Sequence, residues 1–403
     1  RRPNNWRSFF NGPGWTWDET RGQFYMHTFL PQQPDVNWRN PAVRAAMLDV
    51  VRTWLDRGVD GFRLDVFNTF FKDEALRSNP YRPGAKGGGW GRQEHRYDRN
   101  QPELGGALAD LRALVDEQPG RMTVGELFDG SFREAAAYTE PRHLTFDWAL
   151  LGLPWRAAAF HEAIRTRDAA FGPDRWPANV LSNHDQPRHV SRYDEDVADD
   201  GSVGDARAKV LATLLLTLRG TPFLYYGEEL GMRSLDIPNE IALDPPARRA
   251  SPTFPWWNRD QARGPMAWRR GAGSGFTSGT PWLPQPPDAD RRNVEVEAAN
   301  PRSVLSHYRR LTRLREAHVA LTTGTQELLD TGDTDVLAYR RQADGRSVLV
   351  ALNFAAVPTT ISLPTPGSRT GWRIALSTHD RNGADTLVGP VTLAPLEALI
   401  AYD

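Results

Sequence analysis

Several features are missing from this 403-residue sequence, and each absence excludes a class of protein. There is no cysteine, so no disulfide framework can form, and we predict a cytoplasmic protein. The longest apolar run, residues 210–218, is interrupted by threonines and is too short to span a bilayer. Basic and acidic residues number 49 and 50, and no basic run provides the positive surface that nucleic acids require. The expected partner is therefore a neutral or weakly charged small molecule, with no nucleic acid and no membrane.

Short apolar segments that end in a carboxylate are the main feature that is present. The first lies in the stretch from Gly58 to Asn68 and contains Arg63 and Asp65. Alternation along a strand places these two charged residues on the same face. A guanidinium beside a buried carboxylate keeps that carboxylate ionised, which a nucleophile requires. Such a pair on its own is more often a structural salt bridge, so the functional interpretation depends on further acids.

Two similar segments follow at intervals of about 60 residues, and they end in Glu126 and Asp185. Helical patterns alternate with them, the first beginning at Asn40-Pro41 and ending at Gly58. Counting further strands at residues 143–147 and 222–227, we predict five parallel strands. Because parallel strands in a barrel end at one rim, we expect the three acids to converge there. The glycine-rich loop of residues 79–92 lacks the Gly-Lys-Ser/Thr of a phosphate-binding motif.

The three segments resemble the signature segments of a known enzyme family. They read Asp-Gly-Phe-Arg-Leu-Asp up to Asp65, Val-Gly-Glu up to Glu126, and Ser-Asn-His-Asp-Gln-Pro-Arg up to Arg188. In this order they resemble those of the α-amylase family of glycoside hydrolases, family 13, and within it the oligo-1,6-glucosidase and α-glucosidase branch. The likeness extends from about residue 24 to the end of the chain.

The resemblance implies a TIM (β/α)8 barrel of the α/β class followed by an antiparallel β-sandwich. Its three acids lie on the fourth, fifth and seventh strands of the family barrel, so we expect this chain to hold strands four to eight. Residues 1–40 would be the irregular end of an inserted loop domain, residues 41–324 the barrel, and residues 325–403 the sandwich. We further expect roughly 130 residues carrying the first strands to be supplied by a separate N-terminal fragment or to be missing. A structural calcium or magnesium ion would belong to that part.

The β-sandwich is also predicted from pattern alone. Short alternating segments occupy residues 335–341, 346–354, 372–376 and 396–402. The dipeptide Asp344-Gly345 between the first two is typical of a tight hairpin turn.

The resemblance also assigns roles to single residues. Asp65 is the nucleophile, supported by Arg63, and Glu126 is the acid/base, with apolar neighbours expected to raise its pKa. Asp185 and His184 bind the sugar and stabilise its transition state. Arg263 is a contact to the terminal glucose, although the segment departs from the family where Gly264 replaces a threonine.

Three other positions receive weaker assignments. Val66, directly after the nucleophile, is associated in this branch with α-1,6 linkages. Arg188 is interpreted as a surface or supporting charge, and the Gly227-Glu228-Glu229 segment as structural. No residue pattern in this chain indicates a metal site, a nucleotide or a redox cofactor.

Three functions stay open at this point. The leading one is a retaining, exo-acting α-glucosidase that acts on short oligosaccharides. A transglucosylase or sucrose-active relative would use the same acids and differ in how it excludes water. A silent binding subunit is the alternative from another class, although such relatives usually lose one of the three acids.

Overall fold

A computed structural model describes residues 1–84, 89–128, 130–139, 144–194, 202–250, 256–364, 371–381 and 385–403. Part of the glycine-rich loop, residues 85–88, and the first residue of the predicted strand at 143–147 lie outside the described residues. Within these ranges no helix combines the length and the apolar character needed to cross a bilayer. The α-helices are α1 (Pro41–Asp56), α2 (Leu104–Val115), α3 (Phe132–Ala137), α4 (Ala157–Phe171), α5 (His189–Arg192), α6 (Ser202–Thr217), α7 (Pro245–Arg248), α8 (Val294–Ala299), α9 (Val304–Ala317) and α10 (Val319–Thr322).

The strands fall into parallel and antiparallel sets. They are β1 (Trp15–Asp18), β2 (Gln23–Met26), β3 (Gly61–Leu64), β4 (Met122–Glu126), β5 (Leu144–Phe146), β6 (Ala178–Val180), β7 (Thr221–Phe223), β8 (Thr325–Leu329), β9 (Val336–Ala343), β10 (Arg346–Asn353), β11 (Thr359–Ile361), β12 (Trp372–Ser377), β13 (Thr386–Leu387), β14 (Val391–Leu393) and β15 (Ala398–Tyr402).

The chain divides into two compact units. The first comprises Arg1–Ser131, Ala137–Phe146 and Asn239–Trp257, and the second comprises Phe132–Ala136, Asp147–Pro238 and Asn258–Asp403. The first unit contains the parallel strands β3, β4 and β5, with Gly61 opposite Met122 and Glu126 opposite Phe146. A Cβ on Gly61 would lie 2.0 Å from the Met122 carbonyl oxygen, so only glycine permits this close approach of the strands.

Helix α1 begins as the sequence predicts, but its apolar face is only partly buried. Asn40 is the N-cap and its side chain accepts a hydrogen bond from the backbone N–H of Ala42. Leu55 packs into a small core formed by α1, α2 and β3. Val50 and Trp54 on the same helix are 50% and 47% exposed. Hydrophobic spacing alone does not say which apolar residues find a neighbour.

Residues 1–40 contain more regular structure than predicted. Strands β1 and β2 form an antiparallel hairpin, with Trp15 opposite Met26. Trp6 and Trp15 stack at 5.9 Å and pack on Met26. The sequence is rich in asparagine, glycine and proline, which hides a hairpin whose strands have only four residues each.

The second unit contains the parallel pair β6 and β7, with α4, α6 and α9 packed in one large hydrophobic core. Its strands are shorter than predicted: β6 ends at Val180, so Asp185 lies in the loop that follows. Helix α4 ends at Phe171, and Gly172 follows as its C-cap. Helix α6 is buried continuously from Val210 to Thr217, and this half of the helix is mainly apolar.

The C-terminal part of the second unit is antiparallel, as predicted. A six-stranded sheet has the order β13-β12-β15-β10-β9-β8, and the separate pair β11-β14 packs against it through a shared apolar core. The β9–β10 hairpin turns at Asp344 and Gly345, whose φ angles are 51° and 73°. Both are positive, as the predicted tight turn requires. The sequence analysis missed β8, β11, β13 and β14, which are short or weakly alternating.

Arg341 on β9 connects this sheet to two helix ends. It is fully buried and donates to the carbonyl oxygens of Thr217 at 2.6 Å, Gly324 at 2.9 Å and Leu321 at 3.3 Å. Thr217 and Leu321 lie in the last turns of α6 and α10, where carbonyl groups lack helical partners. Burial lowers the pKa of Arg341 to about 9.

Candidate active site

Arg63 brings two of the predicted site carboxylates together in the first unit. One terminal nitrogen of its guanidinium donates to Asp65 Oδ1, and the other donates to Glu126 Oε2. Arg63 lies on β3, Asp65 follows the last residue of that strand, and Glu126 is the last residue of the adjacent strand β4. Parallel pairing of β3 with β4 therefore places both acids at the same end of the sheet.

The two carboxylates have different surroundings. The side chain of Asp65 is 69% exposed, whereas that of Glu126 is 12% exposed. The expectation of a buried Asp65 is therefore wrong in this structure, because the chain turns away from the sheet directly after Leu64. Val124 and Leu127, the apolar residues on either side of Glu126 in sequence, are 9% and 1% exposed. The Arg63 contact adds a positive charge to those surroundings.

Val66 has an unusual backbone conformation directly after Asp65. Its φ and ψ angles are 40° and 39°, a left-handed region that a β-branched residue rarely adopts. The Val66 carbonyl accepts hydrogen bonds from the Thr69 backbone N–H at 3.0 Å and the Thr69 hydroxyl at 2.9 Å. The side chain itself is 8% exposed. The turn that presents Asp65 is thus strained and is held by the next residues in the chain.

A cluster of aromatic rings surrounds Phe128, two residues after Glu126. Phe9 lies edge-on to Phe128 at 4.6 Å and to Trp256 at 5.4 Å. Phe29 and Trp90 lie 5.9 Å and 5.4 Å from the Phe128 ring. Sequence reasoning named Phe128 as an apolar neighbour of Glu126, but it did not identify Phe9 or Phe29, which are distant in sequence and carry no polar signature.

The second unit holds the other predicted group, centred on Asp185. His184 Nε2 lies 3.2 Å from Asp185 Oδ2, and Arg263 donates to Asp185 Oδ1 at 2.9 Å. Arg263 also donates from Nε to the His184 carbonyl at 2.9 Å. Arg259 donates to the same Asp185 oxygen at 3.1 Å. Two guanidinium groups therefore donate to the same oxygen of Asp185.

Arg259 is the member of this group that sequence reasoning missed. It lies at the start of a 3-10 helix, Arg259–Ala262, whose N-cap Asn258 accepts from the Asp260 N–H. The segment was already noted for Arg263, so the four-residue spacing of the two arginines was the available signal.

Arg188 and the 227–229 segment lie in the interior of the second unit. Arg188 is 1% exposed, so the prediction of a surface charge is wrong and the supporting role is retained. Glu228 is also 1% exposed and lies 3.7 Å from His189 Nδ1. Burial raises the pKa of the neighbouring Glu229. The 227–229 segment is thus internal, in agreement with a structural role.

Two family models match this chain in succession. Residues 1–324 match the family model described as alpha amylase, catalytic domain, and residues 326–400 match that of the maltogenic amylase C-terminal domain. The chain belongs to the α-amylase family of glycoside hydrolases. The predicted fold class, the α/β barrel with a C-terminal antiparallel domain, is confirmed for this family member.

Two named relatives and one solved structure are similar to this chain over nearly its whole length. It is 40% identical over 379 residues to a probable alpha-glucosidase of Rhizobium meliloti (strain 1021), covering 90% of this chain and 67% of the relative. It is 32% identical over 433 residues to an oligo-1,6-glucosidase of Parageobacillus thermoglucosidasius, covering 99% and 75%. The crystal structure of an alpha-glucosyl transfer enzyme, XgtA, aligns with a TM-score of 0.86 at 35% identity, over 99% of this chain and 74% of that one.

Proposed function

We propose that this glycoside hydrolase is a retaining, exo-acting α-glucosidase that releases terminal glucose from short oligosaccharides. The observation that carries the proposal is the contact of one guanidinium, that of Arg63, with both Asp65 and Glu126. Carboxylates bound to the two terminal nitrogens of one guanidinium lie within a few ångströms of each other. Retaining enzymes need such closeness, about 5 Å, because one carboxylate attacks while the other protonates the leaving group.

The chemistry assigns the roles as follows. Asp65, exposed and paired with a cation, attacks the anomeric carbon and forms a glucosyl-enzyme ester as the glycosidic bond breaks. Glu126 gives its proton to the departing oxygen and then takes one from the water that hydrolyses the ester. Asp185 and His184 bind glucose hydroxyl groups, and the negative charge of Asp185 stabilises the oxocarbenium-like transition state. Arg263 supports that charge. No cofactor or metal takes part in these steps, and we place the reaction in the cytoplasm because the chain has no cysteine.

The preferred linkage in this proposal is α-1,6, as in isomaltose. Val66 next to the nucleophile supports it, together with the relatives named oligo-1,6-glucosidase. A second candidate is transfer of glucose to another sugar instead of to water. The similarity to an alpha-glucosyl transfer enzyme supports this second candidate. Hydrolysis and transfer both proceed through the glucosyl-enzyme ester.

Turnover of p-nitrophenyl α-glucoside by the purified protein tests the proposal. We expect release of p-nitrophenol by the wild type and its loss in Asp65→Asn, because the amide cannot act as the nucleophile. A matched control is Asp110→Asn, which changes another exposed aspartate paired with an arginine, Arg44. Turnover that survives in Asp65→Asn, or is lost equally in the control, would overturn the assignment. Product analysis at high maltose or isomaltose concentration separates hydrolysis from transfer.

A further inference from the structure

The buried residue Arg188 connects the two loops that meet at Asp185. Its guanidinium donates to the Tyr226 carbonyl at 2.6 Å and to the Ala262 carbonyl at 2.9 Å. Ala262 directly precedes Arg263, which donates to Asp185 at 2.9 Å. Arg188 itself follows Asp185 by three residues. These contacts therefore close a ring. It runs along the chain from Asp185 to Arg188, crosses to residue 262, and returns from residue 263 to Asp185.

The surroundings of Arg188 suit this linking role. The guanidinium carbon lies 4.8 Å and 4.7 Å from the ring centres of Tyr225 and Tyr226. Within the described part of the chain, no carboxylate pairs with Arg188. Its charge is compensated by carbonyl dipoles and aromatic faces, which is costly to maintain for a residue that is 1% exposed.

The same two tyrosines fix the loop that carries the arginines. The Tyr225 hydroxyl donates to the Ala262 carbonyl at 3.1 Å, and the Tyr226 hydroxyl donates to the Gly264 carbonyl at 2.6 Å. A Cβ on Gly264 would lie 2.5 Å from Leu235, so the larger threonine usual in the family would require Leu235 to move. The backbone on both sides of Arg263 is thus held by side chains that follow β7 or belong to the Asp185 loop.

We propose that Arg188 is a positioning residue that holds Arg263 against Asp185 and thereby keeps the charge of Asp185 in place for the transition state. This inference rests on the proposed function. Lysine cannot replace arginine here, because one ammonium group does not donate in a fixed fork to two carbonyls while stacking on aromatic rings.

A double-mutant cycle tests the proposal. We expect Arg188→Lys to lower kcat/KM by about 10- to 100-fold, mainly through kcat, since small misplacements of catalytic groups have effects of this size. In an Arg263→Ala background the same change should alter kcat/KM less than about twofold, because the residue that it positions is gone. Independent, multiplicative effects of the two changes would overturn the proposal.

Arg315→Lys is the matched control. Arg315 also donates to two carbonyls, those of Leu216 at 2.7 Å and Gly220 at 2.9 Å. Gly220 precedes β7, whereas Tyr226 follows it, so the control lies at the other end of the strand. We expect Arg315→Lys to lower the melting temperature without changing kcat/KM.

A crystal structure of Arg188→Lys decides the question without activity. The expected result is that Arg263 no longer lies within hydrogen-bond distance of Asp185, while the rest of the unit is unchanged. A retained contact would overturn the positioning role. If the wild-type protein shows no α-glucosidase turnover, the proposed function fails, and this structural result still decides the role of Arg188.

Discussion

Replacing Arg63 with lysine removes the fork that holds Asp65 and Glu126 while keeping the positive charge. The guanidinium reaches both carboxylates with separate nitrogens. A lysine ammonium is a compact charge on a flexible stem and cannot keep both contacts in one geometry. We therefore expect the variant to fold and to lose the fixed relation between nucleophile and acid.

The expected loss of transition-state stabilisation in Arg63→Lys follows from the number of contacts that Arg63 makes and from their exposure to solvent. A hydrogen bond to a charged group contributes about 1.5–3 kcal/mol, and one of the two is lost. The Arg63 side chain is 36% exposed, so solvent screening reduces this to about 1.5 kcal/mol. A loss of that size from the transition state alone corresponds to about a tenfold fall in kcat/KM.

Steady-state kinetics on p-nitrophenyl α-glucoside measures the effect. The control is Arg340→Lys, since Arg340 also uses two nitrogens on one carboxylate, that of Glu327 on the C-terminal sheet. It should leave kcat/KM unchanged. An Arg63→Lys enzyme within twofold of the wild type, at equal folded concentration, would refute the idea that this fork aligns the two acids.

Two further predictions concern specificity and stability. Val66→Thr should move the preference from isomaltose toward maltose by about 10- to 200-fold, because one pocket wall discriminates by about 1–3 kcal/mol, and a ratio of the two kcat/KM values that does not change would contradict it. Burial raises the pKa of Glu297 to about 7 from an ordinary 4.5, so its contribution to stability is full below pH 4.5 and is lost as the pH rises to 7. Glu297→Gln removes that loss, and its side-chain oxygen can still accept the Leu305 N–H. The free energy of unfolding of the variant relative to the wild type should therefore be higher at pH 8 than at pH 4.5, by at most about 3 kcal/mol. Melting temperatures across this range measure it, and a pH-independent difference from the wild type would count against it.

The first carboxylate pair could be predicted from sequence because its geometry is local. Asp65 follows a strand, Glu126 ends the next one, and parallel pairing of adjacent strands brings them together. The exposure of Asp65 could not be predicted, because it depends on the left-handed turn at Val66, and valine gives no sign of such a turn.

The Asp185 group was predicted less completely, for a related reason. Arg259 and Arg263 reach Asp185 from more than 70 residues away, and only the folded loop shows that both arrive. Arg188 looked like a surface charge because arginine is usually exposed. Its burial depends on two tyrosines and two carbonyls from other segments, which no local pattern reveals. The domain boundaries and the catalytic roles stay predictions.

Trapping of the glucosyl-enzyme tests directly whether Asp65 is the nucleophile. A slow fluorinated α-glucosyl substrate forms the ester faster than water breaks it, and peptide mass spectrometry then locates the added sugar. We expect one labelled peptide with the modification on Asp65, and no label in Asp65→Asn. A label on another residue, or turnover in which the first sugar released has the inverted anomeric configuration, would contradict it.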